Sequence, residues 1–339
     1  MKKKYITIGI CITAVFLLLL TVATLANTII YHKSELGESA EKSSAVIYID
    51  NDDTLDSVKI KSLLGWRFDF YHNIMPYKLR TGRYAVTKGT TSLDFFRRLR
   101  NGMQEPTKLI IPSVRTMPQL ADVLGKQLML SKTEIEEAFN DSTFCHNYGY
   151  TPATLPSLFI PNTYQIYWNT SLDAFMKRMQ KENKSFWNKE RTKQAEKLKL
   201  TPEQVSTLAS ILDEETRNNA EKPVMAGMYI NRLRKGMLLQ ADPTVKFALG
   251  DFTLRRIYYK HLEVDSPYNT YRYAGLPPGP IRIPSISALD AVLNYKESSY
   301  LYMCAKEDFS GTHNFATSLA EHTRNARKYA KALNARGIK

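Results

Sequence analysis

The feature that most constrains this chain is an uncharged, apolar run over residues 5–31, which follows the basic start MKKK. At a helical rise of about 1.5 Å per residue, such a run can span the hydrocarbon core of a bilayer, which is about 30 Å thick. The three lysines predict that residues 1–4 form a cytoplasmic tail and that the rest of the chain lies outside the plasma (inner) membrane.

A cleaved signal peptide is the alternative explanation of this run. Its apolar region would normally hold about 7–15 residues and end at a small-residue A-x-A site. Here the run is longer, and the nearest similar stretch, TLAN, is a poor match to such a site. We therefore predict an uncleaved, single-pass transmembrane anchor at residues 5–31.

The composition is that of a folded globular protein with an excess of positive charge. Of the 339 residues, 43% are hydrophobic and 24% are charged, and the formal net charge is +14. Such a balance either reflects lysines on an ordinary surface or suits an anionic partner: nucleic acid, a membrane surface or an acidic polymer. Because no RNP-like, zinc-finger or helix-turn-helix signature is present, no nucleic-acid partner is predicted.

Cysteine and histidine usage gives no sign of a metal centre. The three cysteines, Cys11, Cys145 and Cys304, form no CxxC pair, and no HExxH motif is present. The six histidines are scattered, and among them His313 and His322 are the two that lie close together. We therefore predict neither a metal nor a cofactor.

The chain after the anchor divides into a linker, a small module and a larger helical part. Residues 32–42 are polar and aperiodic, as in a linker. In residues 43–112, the strand-like stretches AVIYID, GRYAVT and TKLIIP alternate with the helical patterns TLDSVKIKSLLG and TSLDFFRRLRNG. This β-α-β-α-β order predicts a binding module, because no pair of acid, base or nucleophile candidates stands out in it.

Residues 113–339 are mainly helical by pattern, with strands predicted near the C-terminus at SSYLYMCA and after the following turn. The stretch SLDAFMKRMQKENKSFWNKERTKQAEKL predicts one long polar helix. Together these patterns predict an α+β fold that consists of one transmembrane helix, the small module and a mainly helical α+β domain.

The stretch LTPEQVSTLASILDEET carries three consecutive acids at the end of a strongly marked helix. Thr201 is a good N-cap, Pro202 suits the first helical position, and Gln204 completes a capping box. Apolar residues recur at helical spacing and form one face. The acids therefore occupy defined positions relative to a buried stripe.

Helical geometry separates the three acids. At about 100° per residue, Glu215 projects roughly 40° from the centre of the apolar stripe, Glu214 lies on the opposite face, and Asp213 lies on a flank. We expect Glu214 to be ordinary helix surface and Asp213 to be surface or a local partner. A partly buried Glu215 would have a raised pKa and could act as a general acid. The alternatives are that Glu215 pairs with a buried Arg or that the helix frays there.

Two polar segments downstream are candidates for binding sugars. Asn231 lies on an apolar helix, and the Pro-containing loop LLQADPTV holds Gln240, Asp242 and Thr244, whose amide, carboxylate and hydroxyl groups suit hydrogen bonds to hydroxyls and acetamides. Capping of the next helix by Asp242, with Pro243 at its first position, is the favoured alternative for that residue.

The segment SPYNTYRYAGLPPGPIRIPS, which contains Asn269 and Tyr271, is dense in Tyr, Pro and Gly. Tyr rings can stack on sugar rings, and a rigid loop would hold them in place. A purely structural loop is an equally good explanation.

Four stretches in this order, LASILDEET, INRLRKGMLLQADPTV, YNTYRYAGLPPGPI and HNFATSLAEH, resemble the membrane-anchored endolytic murein transglycosylases, the MltG or YceG-like family. The anchor fits this family, and residues 43–112 look like its LysM-like subdomain, which leaves residues 113–339 as the catalytic domain. LFIPNTYQIYW also resembles a family segment, although Asn162 stands where an Asp is usual.

The resemblance implies a lytic transglycosylase that cleaves the β-1,4 bond between N-acetylmuramic acid and N-acetylglucosamine without water. It leaves a 1,6-anhydromuramyl end. One Glu protonates the leaving oxygen and then, as a carboxylate, takes the proton from the muramyl C6 hydroxyl that attacks C1; that position is Glu215 here. Asp213 stands where the family usually has Glu, so a supporting role for it is open.

The resemblance also implies that the enzyme terminates nascent peptidoglycan strands close to the membrane, beside peptidoglycan synthases, and its positive charge suits the anionic murein peptides. The residues expected to line the glycan groove are Asn231, Gln240, Asp242, Thr244, Asn269 and Tyr271. A non-catalytic murein-binding scaffold is the alternative function, and a hydrolase that makes reducing ends is a third.

Overall fold

The computed structural model describes residues 2–40, 44–254 and 256–337. It begins with helix α1, Lys2–Ala26, which continues into a π-helical turn, Asn27–Tyr31. Within it, the 24 residues Ile8–Tyr31 are long and apolar enough to cross a membrane, with a mean hydropathy of 2.6 over an 18-residue window. The threonines of this segment donate their hydroxyls to carbonyls of the preceding turn, so their polar groups are satisfied within the helix.

The chain forms two compact units. The first comprises the residues up to 109 together with 165–170, and the second comprises 110–164 and 171 onward. The boundary that the sequence predicts between residues 42 and 43 lies outside the described residues. The segment predicted as a linker includes helix α2, Glu35–Glu38, whose N-cap Ser34 is fully buried.

The first unit contains a small antiparallel sheet covered by helices. Its elements after α2 are β1 Ser44–Ile49, α3 Leu55–Ser62, α4 Trp66–Ile74, β2 Gly82–Thr87 and α5 Ser92–Asn101. β1 and β2 pair with Ser44 opposite Thr87 and Ile49 opposite Gly82. Aromatic and aliphatic side chains such as Phe68, Phe95 and Leu99 fill the core between the sheet and the helices.

This module differs from the predicted β-α-β-α-β order in two ways. Helix α4 was not predicted, because its N-cap residue, Gly65, has no side chain to cap it and its residues WRFDFYHNI show no clear apolar stripe. The third strand, β3 Thr107–Ile111, pairs with β4 Asn162–Ile166 and not with β1 or β2. Asn162 itself is exposed at the start of β4, and its side-chain oxygen accepts the Thr163 N–H.

The second unit is mainly helical. Its helices are α6 Met117–Gln127, α7 Lys132–Asn140, α8 Ser142–Asn147, α9 Leu172–Phe186, α10 Lys189–Leu198, α11 Pro202–Glu215, α12 Lys222–Arg234, α13 Asp242–Leu249, α14 Tyr259–Leu262, α15 Ile286–Leu293 and α16 Leu319–Ala335, with a 3₁₀ turn at Leu155–Leu158. The predicted long polar helix is two helices, because Asn188 caps α10 by accepting the N–H groups of Glu190 and Arg191.

Helix α11 lies at the centre of this unit and packs against α12, α13 and α15. Its residues Val205, Leu208 and Leu212 are fully buried in the core. The fold class predicted from the sequence, a mixed helical and strand protein with one apolar N-terminal helix, is thus confirmed at that level.

A hairpin near the C-terminus completes the unit. Strand β5, Tyr302–Ala305, pairs with β6, His313–Ala316, in antiparallel register with Ala305 opposite His313. Gly227 of α12 allows the chain before β5 to pass close by, since a Cβ there would lie 2.3 Å from the Lys296 carbonyl oxygen. The chain that leads into the hairpin therefore lies against α12.

Candidate active site

The sequence punctuation around α11 fixes where Glu215 lies. Thr201 accepts the Gln204 N–H and the Gln204 side chain accepts the Thr201 N–H, which forms the predicted capping box. The helix ends at Glu215, and Thr216 turns the backbone into an extended conformation. The last helical residue, Glu215, is partly buried at the core-facing side of α11, as the sequence predicted.

Glu215 lines a cavity of about 260 Å³ in the helical unit. Its walls come from α11, α12, the loop before α13, the loop that contains Tyr271, and the β5–β6 hairpin. The lining residues are Glu215, Met228, Tyr229, Arg232, Leu239, Gln240, Asp242, Tyr271, Met303, Cys304, Ala305 and His313.

The Glu215 carboxyl is held in an environment that favours its protonated form. Burial raises its pKa to about 7, the Tyr229 hydroxyl opposes this rise by donating a hydrogen bond of 3.1 Å, and the negative charge of Asp242 adds to it. No Lys, Arg or His nitrogen in the described residues pairs with Glu215, so the alternative of a buried Arg partner is excluded there. Part of the side chain remains exposed to the cavity. A carboxyl of this kind can donate and later accept a proton near neutral pH.

The two neighbouring acids are held differently. Asp213 forms an ion pair with Lys222 at 2.6 Å, in which both side chains are almost fully buried, and it accepts the Ser285 N–H and hydroxyl. The Glu214 carboxylate accepts hydrogen bonds from the guanidinium groups of Arg115 and Arg282, each with an N···O distance of 2.8 Å. Only 12% of the Glu214 side chain is exposed. The expectation that Glu214 is ordinary helix surface is therefore wrong, because two arginines from distant segments cover it.

Three of the six expected groove residues lie in the cavity wall with Glu215: Gln240, Asp242 and Tyr271. Tyr271 donates its hydroxyl to Asp242 at 2.6 Å. Gln240 adopts a left-handed backbone with φ of 52°, and its N–H donates to the Thr270 carbonyl. This backbone conformation, uncommon for a residue with a side chain, sets the course of the loop that lines the cavity.

The favoured interpretation of Asp242 as a helix N-cap is wrong. Helix α13 has Ala241 at its N-cap without a side-chain cap bond, and Asp242 is the first helical residue. Its carboxylate instead accepts a hydrogen bond from the Tyr271 hydroxyl, and its negative charge contributes to the raised pKa of Glu215. Asp242 thus acts on the electrostatics of the cavity.

The other three expected groove residues support loops outside the cavity wall. Asn231 donates to the carbonyls of Ser298 and Tyr300, ahead of β5. Thr244 is fully buried and donates to the Ala241 carbonyl. Asn269, also fully buried, donates to two backbone carbonyls and accepts the Tyr271 N–H. Asn231, Thr244 and Asn269 therefore do not line this cavity, and their side chains hold the neighbouring loops in place.

Two residues of α12 at the site were missed by sequence reasoning. Tyr229 is 1% exposed and donates to Glu215, and burial keeps the pKa of this phenol well above its usual range. Arg232 is buried and donates to the carbonyls of Leu238, Leu239 and Leu301. It thereby ties the loop before α13 to the start of the hairpin. Their positions three residues apart on one helix were a usable signal.

His313 was also missed, although it lies in a stretch quoted for the family resemblance. Its Nδ1 lies 2.9 Å from the Glu221 carboxylate, and its backbone N–H donates to the same group at 2.7 Å. Glu221 is buried and acts as an acceptor, so Nδ1 carries the proton and Nε2 is left for other partners. His313 lines the cavity with Glu215, which gives the site a second, well-oriented polar group.

A carboxylic acid with a raised pKa beside a tyrosine hydroxyl, in a polar cavity of a mixed helical and strand fold, is an arrangement that can perform acid–base catalysis. The sequence comparison places the fold in a family. The YceG-like family matches residues 51–328, and the chain belongs to that family.

Relatives and a solved structure agree with this assignment. The endolytic murein transglycosylase of Bacillus subtilis (strain 168) is 31% identical over 292 residues, covering 82% of this chain and 77% of the relative. That of Streptococcus pneumoniae D39 is 27% identical over 303 residues, and the chain spans 54% of its length. A crystal structure of a YceG-like protein from Listeria monocytogenes matches with a TM-score of 0.57 at 28% identity, over 84% of this chain and 99% of that one.

Proposed function

We propose that this protein is an endolytic murein transglycosylase with Glu215 as its single acid–base residue. The observation that carries the proposal is the Glu215 carboxyl, whose pKa burial raises to about 7 and which has no cationic partner in the described residues. The shared family and the names of the relatives support the substrate, peptidoglycan glycan strands.

The reaction then proceeds in two proton transfers. Protonated Glu215 gives its proton to the glycosidic oxygen as the bond from C1 of N-acetylmuramic acid breaks. The resulting carboxylate takes the proton of the muramyl C6 hydroxyl as that oxygen bonds to C1. Glu215 ends protonated, no water is consumed, and the products are an N-acetylglucosamine 4-hydroxyl and a 1,6-anhydromuramyl end.

The surroundings of Glu215 suit this double role. A carboxyl with a pKa near the working pH is populated in both protonation states, which general acid–base catalysis requires. The Tyr229 hydroxyl can stabilise the carboxylate between the two steps. Gln240, Asp242 and Tyr271 present polar groups from the cavity wall to the sugar. A second catalytic carboxylate, which usual glycosidases need, is not required.

We propose further that Ile8–Tyr31 anchors the protein in the plasma membrane as an uncleaved span, with residues 1–4 in the cytoplasm. The catalytic unit would then act outside the membrane, close to newly made strands and their synthases. We assign the sheet module, residues 43–112, as a LysM-like murein-binding subdomain on the basis of the family resemblance and its small two-stranded sheet.

The test is a digest of purified glycan strands by the full chain in detergent micelles, with mass spectrometry of the ends. We expect anhydromuramyl ends, which are lighter by one water than the reducing ends of a hydrolase. Glu215→Gln should abolish their release while the unfolding transition is retained. Glu196→Gln, an exposed acid on α10, is the matched control and should leave release unchanged.

Three outcomes would contradict the proposal. Unchanged release by Glu215→Gln removes Glu215 from its role. Reducing ends from the wild type indicate a hydrolase. Strand binding without any cleavage by the wild type indicates a scaffold.

A further inference from the structure

A second, larger cavity of about 950 Å³ borders the same end of α11. It is lined by Asp213 and Glu214, whereas Glu215 lines the cavity of about 260 Å³, called here the catalytic cavity. Thr216 and Arg217, which follow the helix end, also border this cavity. Neither the family resemblance nor the acid–base chemistry of Glu215 gives this cavity a role.

The lining of this cavity, called here the basic pocket, carries more positive than negative charge. Its basic residues are Arg115, Lys132, Arg217, Lys222 and Arg282, and its acidic residues are Asp122, Asp213 and Glu214. Because the acids are fewer, the pocket holds an excess of cations that an anionic ligand could neutralise.

The ion pairs show where that excess lies. The positive charge of Lys222 is neutralised by Asp213. Arg115 and Arg282 share a single oxygen of Glu214, so one carboxylate serves two guanidinium groups. Two guanidiniums beside one carboxylate retain one net positive charge at the wall of the pocket.

Arg217 adds another cation to the lining. Its side chain is exposed, and the described residues offer it no hydrogen bond or ion pair. A guanidinium presents its donors in a fork that matches the two oxygens of a carboxylate. Arg217 follows Glu215 by two residues, which brings this free fork close to the catalytic acid along the chain.

The basic pocket lies within reach of a peptide attached to the sugar at Glu215. A helix with its side chains is about 10–12 Å across. An extended peptide covers about 3.5 Å per residue, so three residues bridge about 10 Å. A small cavity shares Arg115 and Glu214 with the basic pocket, and its Pro243 follows Asp242 of the catalytic cavity in the chain.

We propose that the basic pocket binds the carboxylate-bearing peptide attached to the muramyl residue of the strand that is cut, with Arg217 as a principal contact. The inference rests on the proposed function, because that function places a muramyl residue beside Glu215. It adds a substrate preference: strands that keep their peptides are cut faster than strands from which the peptides were removed.

The experiment compares these two substrates. Glycan strands with intact peptides, and the same strands after removal of the peptides by an amidase, are digested by the full chain in detergent micelles. Arg217→Glu is expected to lower kcat/KM about tenfold on peptide-bearing strands and by less than about twofold on bare strands. Lys132→Glu, on another helix of the pocket, is expected to show the same selectivity with a smaller loss.

Arg327→Glu is the matched control, since Arg327 is an exposed arginine on α16 outside both cavities. It changes the net charge equally and should alter neither rate. An equal loss on both substrates by Arg217→Glu, or a loss on neither, would overturn the proposal.

Direct binding separates this proposal from the proposed function. A soluble murein tripeptide with free carboxylates is titrated against the full chain, and its amidated form serves as the comparison. Binding of the acid form that Arg217→Glu weakens supports the pocket even if the wild type cleaves no strand. Binding that is the same for both peptides, or binding of poly(glycerol phosphate) and not of the peptide, contradicts it.

Discussion

The two cavities at the end of α11 show how three consecutive acids acquire different chemistry. On the side of the basic pocket, Asp213 and Glu214 are surrounded by cations and form ion pairs. On the side of the catalytic cavity, Glu215 meets the Tyr229 hydroxyl and the negative Asp242. The same kind of side chain is therefore held in ion pairs on one side and, in the proposed reaction, donates a proton on the other.

The difference is a matter of where the neutralising groups come from. Lys222 reaches Asp213 from the next helix, and Arg115 and Arg282 reach Glu214 from segments 99 and 68 residues away. The walls around Glu215 supply hydroxyl, amide and carbonyl groups and a buried Arg232 whose donors are used by backbone carbonyls. Burial without a counter-charge is what raises the pKa of Glu215.

The largest expected effect on stability comes from removal of the positive charge of Lys222, which pairs with Asp213 at the basic pocket. Lys222→Met leaves the Asp213 carboxylate almost fully buried with only the Ser285 donors, and should lower the free energy of unfolding by about 3–5 kcal/mol. Urea unfolding of the full chain in detergent measures this change. The double variant Asp213→Asn with Lys222→Met removes both charges and should be less destabilised than Lys222→Met alone; equal losses would show that the pair is not coupled.

In the catalytic cavity, removal of the negative charge of Glu215 should stabilise the protein in a pH-dependent manner. The Glu215 pKa is 4.5 in the unfolded chain and about 7 in the folded one. Well below pH 4.5 the carboxyl is protonated in both states. As the pH rises from 4.5 to 7, the folded state alone retains the proton, so wild-type stability falls.

Glu215→Gln should therefore match the wild type at pH 4.5 and exceed its free energy of unfolding by about 2–3 kcal/mol at pH 8. Urea midpoints at the two pH values measure the difference. The control Glu196→Gln, at an exposed position of α10, should show no such pH-dependent gain. A Glu215→Gln variant that is less stable than the wild type at pH 8 would contradict an unpaired, buried carboxyl.

The position of Glu215 on α11 could be predicted from the sequence by helix capping and apolar periodicity. Thr201 and Pro202 fixed the start of α11, and apolar spacing placed Glu215 on the buried face. These features depend on residues within one helix, so periodicity and capping are enough to predict them. The same reasoning failed for Glu214, because its burial depends on arginines that no local pattern links to α11.

The rest of the site depends on contacts between distant segments. His313 meets Glu221 across 92 residues, and β3 pairs with β4 and not with the nearer strands. Thr244 and Asn269 carry side chains suited to sugars but are buried by loop packing. Residue type and spacing indicate what a side chain can bind, whereas tertiary packing decides which of these side chains face the cavity.

A smaller effect is expected when the Tyr229 hydroxyl is removed from the catalytic side. This hydroxyl donates to Glu215 and holds the pKa of that carboxyl below the value that burial alone would give. Tyr229→Phe should therefore raise the pKa further, and the alkaline decline of kcat/KM should move to higher pH by about 0.5–1 unit. The rate of anhydromuramyl release between pH 5 and 9 measures this.

The matched control for that change is Tyr268→Phe, since Tyr268 packs against Phe247 and takes no part in the catalytic cavity. Its pH profile should coincide with that of the wild type. A Tyr229→Phe profile that moves to lower pH would mean that the hydroxyl favours the protonated form of Glu215, which would reverse its assigned role.

The smallest expected effect comes from a change at the N-terminus of α11. It tests whether the stability of the whole helix affects the pKa of Glu215 at its C-terminus. Thr201→Ala removes the N-cap bond to Gln204, 14 helical residues before the end of the acid cluster, and should lower the free energy of unfolding by about 1 kcal/mol. Because the cap bond does not depend on the protonation of Glu215, this loss of stability should be the same at pH 4.5 and pH 8. The pH profile of kcat/KM should not move. Urea midpoints and the pH–rate profile measure both points. A pH-dependent loss would mean that fraying of α11 reaches Glu215, so the raised pKa of that carboxyl would depend on the whole helix and not on the walls of the cavity.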